Sequence, residues 1–336
     1  MTKTIPSPRR HKLRNSLIAF VILVGAAHFI GWRFAASEMH QTVDAWVEDQ
    51  RQAGLKIEHG DITIKGYPFF LRAHAPDVMI SDNKAWLWRA EILNIDLLPT
   101  ALNRLTFRPQ GQQSFETNDL GVWQFNTDHA VIHLANDAER SWTLEVSLAA
   151  GHFNNNADGL TIDTGPFTLA IAPNAKDETQ IDASCVLNAI RVATQTAVIN
   201  TPLFDANLSL TATHALFEND TGQNSLAYWQ RTGGALVLNN IKAQIEESDS
   251  AFSGRISVDQ NGFPDGIINA SVKKPAAIAA ALGKAGVLSQ RKANAAQAGL
   301  TMASIAQGGK IEAPIILADG TASFAGIKLA DLPSID

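Results

Sequence analysis

Cysteine is nearly absent from this chain: Cys185 stands alone among 336 residues. No disulfide can form within it, so the fold must rest on burial, which a chain of this length can supply. The catalytic and cofactor-binding signatures are missing as well. There is no HExxH, no GxSxG elbow and neither the GxxxxGK[ST] nor the GxGxxG phosphate loop; the paired glycines in "RTGGALV" and "AQGGKIE" read as turns. His129 and His133 are four apart in "HAVIHLA", but on a strand that spacing places them ~13 Å apart, too far for one zinc ion. Cys185, inside "IDASCVLNAI", reads as a small apolar strand residue, and Glu246 and Glu247 as a solvated strand end. No constellation of acid, base, nucleophile or metal ligand remains, so the expectation is a protein without enzymatic activity or cofactor.

Charge is missing from one stretch and acid from another. The first fourteen residues carry Lys3, Arg9, Arg10, Lys12 and Arg14 with no acidic side chain, and Leu17 to Trp32 carries no formal charge. As a helix, that uncharged run covers only ~24 Å; continued to Ala36, with Arg33 snorkelling to the interface, it reaches the ~30 Å of a hydrocarbon core. Residues 1–15 therefore read as a basic cytoplasmic leader and 16–36 as a transmembrane signal anchor, with the rest of the chain on the far side. A cleaved secretory signal is the alternative, with Gly25, Ala26, Ala27, Ala35 and Ala36 as small residues at candidate cleavage sites. Both readings export the body. Of the whole chain's 27 basic and 33 acidic residues, five bases lie in the leader, so the body is strongly acidic, which argues against nucleic acid as a partner.

Residues 37–54 place Met39, Val43, Trp46 and Val47 at helical spacing before Gly54, an amphipathic helix continuing from the anchor. Beyond it the period changes to two. In "WTLEVSL", Trp142, Leu144, Val146 and Leu148 alternate with polar residues, and the same alternation runs through 167–171, 204–212, 252–258 and 311–317. Turn signals ending at Gly159, Gly234, Gly266 and Gly320 separate these segments. The fold class expected is mainly β with a few helices, an elongated and curved antiparallel sheet over residues 55–336. A division into two halves near 214–234 is the alternative. An Ala-rich helix pair from Pro275 to Ala306, with breaks near Gly283 and Gly286, would lie against the sheet or close one end.

Trp86, Leu87 and Trp88 make both faces of one strand apolar, and farther along the apolar residues shift to Leu93, Ile95 and Leu97. That change of parity predicts a bulge. Together with Phe69 and Leu71, Trp86 and Trp88 are candidates to line an apolar groove; a filled core is the other reading. Barrel, sandwich and open groove all satisfy the periodicity.

Several segments carry a resemblance. They are "GWRFAASEM", "GLKIEHGDITIKGYPFFLRAHAPDVMI", "AWLWRAEILNIDLLP" and the closing "APIILADGTASFAGIKLADLP". Together they resemble a family of Gram-negative, membrane-anchored proteins catalogued as domain of unknown function 2125. Gly66, Tyr67, Pro68 and Phe69 look like its Gly-aromatic-Pro-aromatic signature, and Asp319 and Gly320 like the turn of its terminal hairpin. The likeness covers both ends of the chain; residues 150–250 match in style alone. More loosely, the chain is similar to AsmA-type envelope proteins. The resemblance implies an inner-membrane anchor, a periplasmic β-rich body, and lipid or another apolar molecule as a ligand in envelope maintenance. A structural or partner-binding role with a filled core is the alternative.

Overall fold

The computed structural model describes residues 9–82, 85–98, 101–118, 121–136, 142–155, 159–194, 197–198, 204–213, 229–284, 289–324 and 327–334. Most of the leader, residues 214–228 of the expected seam and the break near Gly286 lie outside these. Helix α1 (Arg9–Gln52) is one unbroken element of 44 residues, about 66 Å long. It carries the apolar run and the amphipathic segment without interruption. It closes at Gly54, whose φ of 102° suits glycine alone, with the Ala53 amide donating to Asp49 O and the Gly54 amide to Arg51 O.

Among the described residues twenty strands make one sheet in which every pairing is antiparallel. In chain order they are β1 (Lys56–Glu58), β2 (Thr63–Lys65), β3 (Leu71–Ser81), β4 (Trp86–Leu98), β5 (Ala101–Thr117), β6 (Gly121–Asp128), β7 (Val131–Ala135), β8 (Thr143–Leu148), β9 (Ala150–Asn155) and β10 (Leu160–Thr164). There follow β11 (Phe167–Asn174), β12 (Asp177–Thr194), β13 (Ala197–Val198), β14 (Phe204–Thr213), β15 (Ala235–Ile245), β16 (Ser248–Val258), β17 (Pro264–Lys273), β18 (Lys310–Ala318), β19 (Thr321–Phe324) and β20 (Ile327–Asp331).

The sheet begins with β1 and β2, both on β3, and passes through β4 to the long β5. There it divides into two tracks. One half of β5 continues through β7, β8 and β11, the other through β6, β9 and β10, and both rejoin on the long β12. From β12 the order is β14 to β20 in sequence. Among the described residues no pairing joins β20 back to β1–β3, so these strands form one open sheet. A sheet this wide curls, because each strand pair adds right-handed twist. Bulges add to the bend. The one anticipated from the parity change in β4 lies between Ala90 and Ile92, with another between Leu238 and Ile241.

The Ala-rich segment forms α2 (Ala276–Lys284) and α3 (Gln290–Ala306), with the Ser289 hydroxyl accepting from the Lys292 amide at the N-terminus of α3. The pair packs tightly, since a Cβ on Gly283 would come 2.6 Å from Ala293 Cβ. Helix α2 touches β15 and β16, and α3 touches β18.

A cluster of buried residues sits where α1 meets the sheet. Ala36 and Met39 pack on Leu71 and Ala73, with Trp32, Ala35, Val43, Ile62, Ile64, Ile95 and Leu97 around them.

Candidate functional site

Directly opposed residues of neighbouring strands share a face, so the register can be followed across the whole sheet. From β3 to β8 one row reads Leu71, Leu97, Leu105, Leu134 and Leu144. It continues as Ile171, Ala183, Leu210 and Leu238 through β15, then Gly254, Ile268, Ile315 and Phe324 through β19. Beside it, on the same face, runs a second row of Ala73, Ile95, Phe107, Ile132, Val146, Leu169, Cys185, Leu208, Ile241, Phe252, Ala270 and Ala313. Neither row contains a polar side chain other than the thiol. The first spans about a dozen strands and therefore about 55–60 Å.

The strand neighbours of these residues face the other way and are mostly polar, Val186, Val237, Ile267 and Ile316 being exceptions. Arg72, Asp96, Thr106, His133 and Glu145 lie in one row, followed by Ala170, Ser184, Ser209 and Asn240. The sheet is thus a single amphipathic layer. Members of its apolar rows are fully buried beneath α1, at Leu71 and Ala73, and again at Leu238 and Ala270. Leu71 is 5% exposed beneath α1, whereas most of the row is half-buried and Leu134 is 38% exposed.

The apolar rows start against α1. Leu71, Ala73, Ile95 and Leu97, the first members of both, belong to the cluster that holds Trp32, Ala36, Met39 and Val43. The turn before β3 brings Gly66 to Phe70 onto the same stretch of helix. Gly66 has φ 109°, and its carbonyl accepts from the Phe69 and Phe70 amides; the Tyr67–Pro68 peptide is cis. The Tyr67 ring lies 5.5–5.6 Å from the rings of His28, Phe29 and Trp32, and Trp32 Nε1 donates to Phe70 O at 3.1 Å. Phe69 points away and is 79% exposed.

The four candidate groove residues fall at two places. Phe69 and Leu71 lie at the α1 end of β3. Trp88 is nine residues from Leu97 along β4, about 30 Å away, in an aromatic row of the other track: Ile80, Trp88, Phe115 and Trp123. Trp86 stacks on Phe115 with ring centroids 6.4 Å apart. The long row through β8, β12 and β15 escapes sequence reasoning; its signal is the alternation in each strand, but nothing local aligns one strand with the next. Asp319 and Gly320, with φ 50° and 67°, form the two-residue turn between β18 and β19, where Ala318 opposes Thr321.

On the polar face Asp96 accepts from Arg72 Nε at 2.5 Å and Nη2 at 2.7 Å, and from Arg108 Nε at 3.1 Å. Burial pushes the Asp96 carboxyl up, but hydrogen bonds from Arg72 and Arg108 and their charges more than offset it and hold it below the usual carboxylate range. Burial pushes His133 down, Arg104 and Arg108 adding to it against Glu145, and its Nδ1 lies 2.9 Å from Thr106 Oγ1. Cys185 sits between Leu169 and Leu208, where burial raises its pKa and keeps the thiol protonated. Among the described residues no group of three or more His, Cys, Asp or Glu could hold a metal ion. Two depressions of about 530 Å³ each are lined chiefly by polar-face residues such as Asn207, Lys242 and Ser271 in one and Asn240, Ser253 and Asn269 in the other. They are shallow dips over small side chains and converge no chemistry.

An open amphipathic sheet joined to a long apolar helix defines the class of protein. Residues 32–333 match the family described as "Uncharacterized protein conserved in bacteria (DUF2125)", and the chain belongs to that family. No curated protein and no solved structure matches it.

Proposed function

We propose that this protein is a single-pass inner-membrane protein whose exported body holds the acyl chains of lipid along the apolar face of its sheet, in a binding rather than catalytic role in envelope maintenance. The observation that carries the reading is the pair of unbroken apolar rows starting where α1 packs on β3. A half-exposed Leu or Ile leaves roughly 1 kcal/mol of burial free energy unrealised. A whole row of them in water is an aggregation hazard unless something apolar lies on it. Acyl chains fit because they are apolar, flexible and present at the helix where the rows begin. Helix α1 is long and apolar enough to cross a membrane, and the five bases before its apolar run favour a cytoplasmic N-terminus. Retention as an anchor is favoured over cleavage because Trp32, Ala36 and Met39 pack on the sheet. Cleavage after Ala36 would remove two of those contacts.

The test is a photocrosslinking amino acid placed in the full chain in cells, at Ile171 in the apolar row and, separately, at Ala170, which faces the other way. Lipid adducts by mass spectrometry at 171 and not at 170 support the reading. Protein adducts at 171 without lipid overturn it. Protease added to spheroplasts is expected to digest the body, which checks the topology.

A partner-binding role is favoured by one other observation. Ile267 and Ile316 oppose each other on the outer face and are 54% and 43% exposed. Protein adducts at Ile267 with no lipid at Ile171 would make that the primary role.

A further inference from the structure

The turn at residues 66–70 is unusual for an exported loop. It sets Tyr67 against His28, Phe29 and Trp32 and leaves Phe69 almost fully uncovered. These helix residues belong to the apolar run itself. At 1.5 Å per residue, Trp32 lies ~6 Å and His28 ~12 Å before Ala36, the end of a 20-residue span. If that span fills the hydrocarbon core, Tyr67 is level with its last two turns. We propose that Tyr67, Pro68 and Phe69 form a second membrane-inserted element, seated among the acyl chains of the leaflet on the body's side, and that this element is where lipid enters the apolar rows.

Three observations point the same way. Phe69 is 79% exposed, and lipid supplies a cover, removing the penalty of an aromatic ring in water. Trp32 and Tyr67 are the amphipathic aromatics that settle at a membrane interface, and the Trp32 N–H is satisfied by Phe70 O, so it carries no unpaired donor into the bilayer. Continuity is the third. Leu71, the first member of the apolar row, is two residues after Phe69; α1 covers it and Ala73, and the half-buried Leu97 and Leu105 that follow in the row are the apolar side chains a chain leaving the bilayer past Phe69 would meet. The inference rests on α1 spanning the membrane and on lipid binding by the sheet, and its test separates the three.

The full chain, with Cys185→Ser to remove the native thiol, is reconstituted in nanodiscs of phosphatidylethanolamine and phosphatidylglycerol. A fluorophore is attached in turn at Phe69→Cys, at Leu23→Cys within the span and at Ile267→Cys on the body. Phe69 is exposed, so labelling there leaves the packing intact, and a thermal melt verifies this. The expected result is strong quenching by spin-labelled lipid at 23 and 69, shielding of both from iodide, and the reverse at 267. Iodide access at 69 with lipid quenching at 23 overturns the inserted loop and leaves the anchor standing. Iodide access at both overturns the anchor, and the inference with it. Phe69→Asp is then expected to reduce lipid adducts at a crosslinker on Leu105 severalfold while the melting curve stays unchanged. Undiminished adducts would overturn the entry role and leave lipid binding by the sheet in place.

Discussion

At the scale of single residues, Gly66 and Asp96 hold the region where helix, turn and sheet meet. A Cβ on Gly66 would come 2.6 Å from Phe70 Cδ2 and equally close to the Phe70 carbonyl oxygen, on a backbone with φ 109°. A flexible ring can move aside, but the carbonyl cannot without opening the turn. Gly66→Val is therefore expected to destabilise the body by about 1–3 kcal/mol, read as a lower melting temperature of the full chain in nanodiscs; an unchanged melt would count against this account. Asp96 acts through charge. Its pKa is lowered on folding, so the stability it contributes is present above the unfolded value of about 4 and is lost as pH falls through the lower folded value. The carboxylate is only 12% exposed, but Arg72 and Arg108 are 32% and 39% exposed, which screens the pair. Asp96→Asn should cost about 1–3 kcal/mol at pH 7. The gap between variant and native protein should close as pH is lowered below about 4, and a pH-independent gap would assign the loss to packing.

At the scale of elements, legibility followed how local each cause was. The strand at 143–148 could be read from "WTLEVSL", since alternation alone places Leu144, Val146 and Leu148 on one face. The bulge in β4 was legible too, because apolar residues shift parity between Trp88 and Leu93 and only an irregularity can reconcile them. The division of the sheet into two tracks was not, since it depends on β5 and β12 being long enough to carry two shorter strands end to end, and no residue in either declares its partner. For the same reason Trp86 and Trp88 read as neighbours of Phe69, although β4 carries them to its opposite end. The helix pair was legible by composition, but its tightness was not: alanine reads as a thin cover until Gly283 is seen against the fully buried Ala293. Gly283→Val should separate α2 from α3 at about 1–3 kcal/mol. Hydrogen exchange is expected to quicken in α2 and α3 and stay unchanged in β3–β5; uniform quickening would show that the helices and sheet unfold as one unit.

At the scale of the whole molecule, an open sheet one layer thick stabilises itself differently from a globular domain. Among the described residues its buried cluster lies at the α1 contact, α2 and α3 touch β15, β16 and β18, and the remaining strands rely on their neighbours and on whatever lies on the apolar face. Nearest-neighbour pairing of this kind gives a long surface with two ends, one at the helix that can cross a membrane and one at β19, about 55–60 Å away. Geometry therefore predicts a direction of filling. If lipid enters at the α1 end, a charge in mid-row should divide the face into a filled near part and an empty far part. Ala183 is the place for it: it lies in β12 between Ile171 and Leu210, is half-buried, and is small enough that Ala183→Glu adds a carboxylate to the strip without removing a packed side chain. With crosslinkers at Leu105 and Ile268, on the near and far sides, adducts should persist at Leu105 and vanish at Ile268 in the variant. Persistence at both would mean that each stretch of the face takes up lipid independently. Loss at both with an unchanged melting temperature would place the obligatory contact at β12 itself.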